Sequence, residues 1–161
     1  MSQRRSNAAG IFRVIPSAVG IAAQRLAQPD ASMTMNLFPE HDIYSTIGED
    51  GFGRLVAAFY RQIPGDPILG PMYPANDLPG AEIRLRDFLI FRFGGPQRYI
   101  EQRGHPRLRM RHAPFSVDQA ARDRWMLLMD NALTEVQLPR AVEQPLRQFF
   151  ANTATFMINQ S

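Results

Sequence analysis

The chain has 161 residues, 45% of them apolar, with a formal charge of +3 and no cysteine. A single domain of that size buries a substantial core, and the apolar share argues against a disordered chain. The missing cysteine excludes disulfide scaffolds, thiolate metal sites and cysteine nucleophiles.

Residues 1–40 differ in character from the remainder of the chain. Arg4, Arg5, Arg13 and Arg25 face a single acid there, Asp30, among the first residues up to Met35. The mildly apolar stretch from Ile11 to Ala23 is interrupted by Arg13 and contains Pro16 and Gly20, a weak match to a targeting peptide. A disordered or loosely attached extension is expected, or a translation start placed too early, since Met33 and Met35 sit just before the folded-looking part. The folded domain is expected over 41–161.

From residue 41 the pattern is helical, without a convincing alternating strand. Phe52, Leu55, Val56, Phe59, Tyr60 and Ile63 recur at three- and four-residue spacing, which predicts one amphipathic face ended by Pro64-Gly65. Asp66-Pro67 reads as an N-cap followed by proline at the first helical position, opening a short helix that stops near Tyr73-Pro74. Asn76 or Asp77 is a candidate cap for the next helix. That helix would turn Leu78, Ala81, Leu85, Phe88, Leu89 and Phe93 to one side, with Arg84, Arg86 and Asp87 facing elsewhere. Gly94-Gly95-Pro96 stops it. Residues 97–115, broken by Gly104, Pro106 and Pro114, read mostly as loop with a short helical turn. Ser116 and Gln119 are spaced as a capping box. The next helix would bury Ala121, Trp125, Leu128, Met129, Ala132, Leu133 and Val136. A last helix from about Arg140 presents Val142, Leu146, Phe149, Phe150, Thr153 and Met157. The fold class expected is all-α, with four main helices and two short ones.

His112 is the sharpest chemical candidate. With only His41, His105 and His112 present, a three-histidine zinc site is a poor reading. An iron porphyrin needs a single protein ligand. Such a ligand is a neutral imidazole nitrogen facing an apolar slot, its other nitrogen held by an acceptor. The plain alternative is an ordinary loop histidine. Arg107, Arg109 and Arg111 alternate just before it, and a guanidinium at a pocket rim pairs well with a cofactor carboxylate. The five arginines from Arg103 to Arg122 equally allow a solvated basic loop or a phosphate-binding patch. Every one of the 18 basic residues is arginine. Tyr60 and Trp125 put polar tips on apolar faces of two helices, and Tyr73 ends the short one. Read alone they are ordinary core aromatics whose buried O–H and N–H groups need acceptors. Ala81 and Leu85 offer no hydrogen bond.

Together these residues resemble the group II truncated haemoglobins. The resemblance runs from about Tyr44 to Ile158 and rests on several strings in order and spacing. They are Phe59-Tyr60, Tyr73-Pro74, Leu78-Pro79-Gly80-Ala81-Glu82, Phe93-Gly94-Gly95-Pro96, Tyr99 through Phe115, and Arg122-Asp123-Arg124-Trp125. The block from Gly104 to Phe115 is the most specific. The resemblance implies a globin-like two-over-two helical sandwich holding haem b. It implies His112 as the proximal ligand, with Tyr73, Leu85, Phe88, Leu89 and Arg111 also against the cofactor. Tyr60, Tyr73, Ala81 and Trp125 would surround the distal ligand. Ala81 takes the place where many globins have a distal histidine or glutamine, which leaves that role vacant.

The function so implied is reversible binding of dioxygen or another diatomic ligand with slow release, because two or three donors in a low-dielectric pocket stabilise its charge. Slow release suits sensing, storage or redox work better than bulk oxygen transport. A haem peroxidase or nitric oxide dioxygenase is the alternative from the enzyme class. A colourless arginine-rich nucleic-acid-binding module is the alternative without a cofactor. An unidentified reductase and a second copy of the chain stand as further candidate partners. No run reaches about 18 apolar residues, so no membrane span is expected, and a cytoplasmic location is.

Overall fold

The computed structural model describes residues 40–160, so the extension expected over 1–40 lies outside the described residues save Glu40. Six α-helices and a 3-10 turn account for the regular structure, and no strand occurs among the described residues. The helix α1, Asp42–Tyr60, changes direction at Gly48, whose φ of 60° and ψ of −169° suit a residue without a Cβ. Its second part buries Phe52, Leu55, Val56, Phe59 and Tyr60, the face expected from their spacing. Ile63 lies past the helix end but is also buried, at the turn just beyond it.

The segment after Asp66 is not the short α-helix predicted. Asp66 does cap a turn, but the only regular piece is the 3-10 turn Gly70–Met72, where Pro71 brings no N–H to continue a helical ladder. Helix α2, Leu78–Arg92, starts after Asp77, which occupies the cap position without a cap bond because its carboxylate pairs with Arg84 at 2.8 Å. Asp87, expected to face outward, is buried beside Arg86. The glycine stop works by close approach: Gly94 has φ 96°, and a Cβ there would meet the His41 carbonyl at 2.6 Å. Tyr44 N–H donates to Phe93 O at 3.2 Å, fastening the start of α1 to the end of α2.

Residues 97–115 hold more helix than their prolines and glycines suggest. Helix α3 is Arg98–Arg103 and α4 is Leu108–His112, separated by Gly104 with φ 68°. Helix α5, Gln119–Val136, begins later than the expected capping box. Asp118 is its N-cap, accepting from Ala121 N–H at 2.8 Å. Ser116 and Gln119 form no box because Val117 is pinned outside the helix by Asn159, through bonds of 3.0 and 2.9 Å. Helix α6, Arg140–Met157, starts where its periodicity puts it.

α1 packs on both α2 and α5, and α5 on α6; α3 lies against α2 and α4 against α6. Phe52, Phe59, Phe93 and Phe150 are fully buried between these helices. Each contributes about 1.5–3 kcal/mol on leaving water. The two helix pairs thereby leave room between them.

Candidate cofactor site

That room is a cavity of about 680 Å³ reached by every helix, within the range of about 300–1,000 Å³ common for small-molecule and cofactor sites. From α2 it receives Ala81, Leu85, Phe88 and Leu89, successive residues of one helical face. Tyr60 enters at the end of α1, Tyr73 just after the 3-10 turn and Trp125 from α5. Arg111 and His112 close it from α4. All nine residues singled out in the sequence therefore line one space. His105 does not; it is exposed, and its Nδ1 accepts from Arg107 N–H at 3.2 Å. Sequence reasoning missed the basic residues Arg84 and Arg103 in the wall, and also Phe149 and Thr153 from α6. The α6 residues read as part of a core face, and periodicity does not tell a face over core from a face over a cavity.

His112 is the last residue of α4, and its Nδ1 lies 2.7 Å from the carbonyl oxygen of Leu108, one turn back. A carbonyl has no proton to give, so Nδ1–H donates, and in the neutral ring Nε2 carries the lone pair. The ring is thus oriented and its tautomer chosen by the backbone of its own helix. Asn159 braces the turn behind it, donating from Nδ2 to Phe115 O at 2.9 Å and to His112 O at 3.3 Å. Arg111 braces the turn ahead, donating from Nε to Pro106 O at 2.8 Å and from Nη2 to Arg103 O at 2.7 Å. Both N–H groups of Nη1 and the second N–H of Nη2 remain for anything in the cavity.

The aromatic residues form a contiguous group. The Tyr60 and Tyr73 rings meet edge to face with centroids 5.7 Å apart, Phe59 lies 5.1 Å from Trp125, and Trp125 lies 5.6 Å from Phe150. Burial raises the Tyr60 phenol above the ordinary tyrosine range. Burial also pushes Tyr73 up to about 12, against hydrogen bonds from the Trp125 indole and the Tyr60 hydroxyl that favour its ionised form. Both phenols hold their protons at neutral pH. The cavity is therefore lined by two O–H donors and one N–H donor, beside an Ala81 methyl that donates nothing.

A buried carboxylate sets the spacing between two of these donors. Asp66 Oδ1 accepts from Leu69 N–H at 2.8 Å and Ile68 N–H at 3.0 Å, while Oδ2 accepts from Arg124 Nε. Burial by itself would raise this carboxyl, but the Leu69 amide and the Arg124 guanidinium hold it below its usual range. The turn leading to Tyr73 is thus tied to the helix residue next to Trp125.

The profile of the bacterial-like globin family matches residues 42–159. The chain is also 36% identical over 118 residues to a group 2 truncated hemoglobin of Bacillus subtilis, covering 73% of this chain and 89% of that one. The protein is a bacterial-like globin of the group II truncated class. Its fold is similar to that of a hemoglobin from Chloroflexus aurantiacus, at 43% identity and a TM-score of 0.70, over 73% of this chain and 98% of that chain. It is likewise similar to a thermostable hemoglobin from Thermobifida fusca, at 46% identity and a TM-score of 0.70, over 73% of this chain and 96% of that chain.

Membership in this globin family implies a haem cofactor. The donor set fits one: an imidazole with Nδ1–H already donated and Nε2 free, in a cavity walled by Leu85, Phe88 and Leu89, with Arg84, Arg103 and Arg111 for the carboxylates. No helix among the described residues is long and apolar enough to cross a membrane.

Proposed function

We propose that this truncated globin binds haem b through His112 Nε2, takes dioxygen reversibly, and releases it slowly. Bound haem supplies an iron atom that accepts a diatomic molecule and draws negative charge onto it. Everything else is the work of the chain. Leu108 O fixes the His112 ring through Nδ1–H, which makes Nε2 a better donor of its lone pair. Leu85, Phe88 and Leu89 give the cavity an apolar wall, beside which a hydrogen bond counts for more than in water.

The observation that carries the reading is the protonated triad of Tyr60, Tyr73 and Trp125 on the same cavity as His112. The Trp125 indole and the Tyr60 hydroxyl donate to the Tyr73 oxygen, which leaves the Tyr73 O–H to donate onward. A donor chain ending this way favours a ligand that carries negative charge and slows its departure. It also favours binding over peroxide chemistry: a peroxidase requires a group that takes up a proton, and phenols held this far above neutrality do not. Slow release suits sensing or storage at low oxygen rather than bulk delivery.

The test is the absorption spectrum of the purified ferrous protein with and without carbon monoxide. A sharp shift of the Soret band on adding carbon monoxide is expected, and His112→Ala should lose stable haem and regain it with added imidazole. Unchanged haem and spectrum in His112→Ala would remove His112 from the role.

A further inference from the structure

The stretch from Arg103, at the end of α3, to Arg111, in α4, carries charge that no neighbouring carboxylate balances. Among the described residues, arginines elsewhere lie within 4.0 Å of a carboxylate, Arg140 excepted. Arg103, Arg107, Arg109 and Arg111 have no such partner, and no acid occurs between Gln102 and Val117. All four are exposed. Two of them are nonetheless held in place: Arg111 by two carbonyls, and Arg109 by Phe156 O at 2.9 Å with its guanidinium 5.4 Å from the Phe156 ring. Arg107 adopts a left-handed backbone, φ 40° and ψ 48°, which disfavours any side chain. A glycine there would relieve the strain and lose the charge.

Large apolar side chains stand among these charges. Met110 is 60% exposed, Phe156 58% and Phe115 40%. Arg111 and Phe115 belong both to this face and to the cavity wall, so anything seated here lies directly against the cavity.

We propose that this face docks an acidic electron-donating protein, one carrying a flavin or an iron–sulfur centre. The proposal rests on the haem reading above, because iron must be in its ferrous form to take dioxygen, and this cysteine-free chain has no thiol from which to reduce it. In the step itself the donor centre gives up one electron and is oxidised by one, and ferric iron accepts it and becomes ferrous. No bond or proton is transferred. Arg107 and Arg109, which lie outside the cavity wall and are left uncompensated when Arg103 and Arg111 serve the cofactor carboxylates, steer an acidic partner onto the face and set its register. Exposed Met and Phe among arginines have the makeup of a protein interface core. A polyanionic nucleic acid would need a longer basic track, whereas Glu101 and Asp118 close this stretch at both ends.

The probe is a small acidic flavodoxin titrated calorimetrically into the haem-loaded protein at about 50 and about 200 mM salt. Affinity should fall at least about tenfold at the higher salt, and about tenfold again in an Arg107→Ala/Arg109→Ala double variant. Arg140→Ala should leave it unchanged. Electron transfer from reduced flavodoxin should slow in step with affinity in the double variant, while reduction by dithionite, which needs no docking, stays the same. Should the double variant unfold, Arg107→Gly removes charge at a position whose backbone favours glycine and should still weaken binding. Unchanged affinity in a folded variant overturns the proposal. So does a DNA duplex that binds more tightly than flavodoxin and is lost with the same arginines. A chain that never takes up haem defeats the cofactor reading instead, and shows itself as a colourless protein before any titration.

Discussion

Asp66→Ala removes three contacts in one step: two backbone amides lose their acceptor and Arg124 loses its carboxylate. Losing a capping acceptor costs about 0.5–2 kcal/mol. The ion pair adds only about 0–1 kcal/mol, because the Arg124 side chain is 32% exposed and water screens it. The sum is about 2 kcal/mol, and a domain of this size melts about 4 °C lower per kcal/mol lost, so Asp66→Ala should melt about 8 °C below the parent. Asp66→Asn keeps an oxygen for the amides and gives up only the charge, so its loss should be about 0.5 kcal/mol. The assay is thermal denaturation at neutral pH followed by circular dichroism, with Arg124→Ala and the double variant completing the cycle. Since the same carboxylate ties the turn before Tyr73 to the helix of Trp125, Asp66→Ala should also release ligand faster than Asp66→Asn. Two results would refute the reasoning: Asp66→Ala melting within about 2 °C of the parent, or Asp66→Asn being as damaging.

The buried phenols predict a loss of stability at alkaline pH. Tyr73 stays protonated in the folded protein up to about 12, whereas the unfolded chain gives up that proton near pH 10; stability is full below about pH 10 and falls up to about pH 12. A melting temperature flat across that window in the parent, or equally pH-sensitive in Tyr73→Phe, contradicts the burial argument. The lowered carboxyl of Asp66 predicts the opposite limb: its contribution is complete above the ordinary carboxylate value of about 3.9 and is lost as acid protonates the folded form. Asp66→Asn should therefore flatten the acid side of the profile, which thermal melts across acid pH would check. Gly94→Ala combines φ 96° with a 2.6 Å approach to the His41 carbonyl. It should cost more than about 1 kcal/mol, read by urea denaturation, and a neutral effect would mean that the end of α2 has slack. Tyr60→Phe and Trp125→Phe each remove one donor and should each speed oxygen release about tenfold, the equivalent of one hydrogen bond; stopped-flow displacement by carbon monoxide measures this.

Much of the fold was legible in the chain itself. Regular three- and four-residue spacing located the buried faces of α1, α2, α5 and α6, because a helix turned toward a core must repeat its apolar residues at that period. The strings around Phe59-Tyr60, Gly104 to Phe115 and Trp125 held Tyr60, Arg111, His112 and Trp125, four of the residues that line the cavity. Proline and glycine punctuation was less faithful. It concealed α3 and α4, since Gly104 and Pro106 end one short helix and precede another without abolishing either. The capping box failed for a similar reason: Ser116 and Gln119 have the right spacing, but Asn159, 42 residues beyond Val117, claims the backbone of Val117 first.

What the sequence determined alone was local: which faces are apolar, where helices stop, and that His112 ends the arginine run of the Gly104–Phe115 block, two residues ahead of Pro114. Those features come from periodicity and backbone sterics, which act over a few residues. Tertiary structure decided the rest. It gave His112 a free Nε2 by bonding Nδ1 to Leu108, tied Arg111 to two carbonyls of its own loop, and buried Asp66 where it joins Tyr73's turn to Trp125's helix. It also left four arginines of one short stretch without a carboxylate. Partners for charges and lone pairs come from whatever the fold brings within about 3 Å, and no spacing along the chain encodes that.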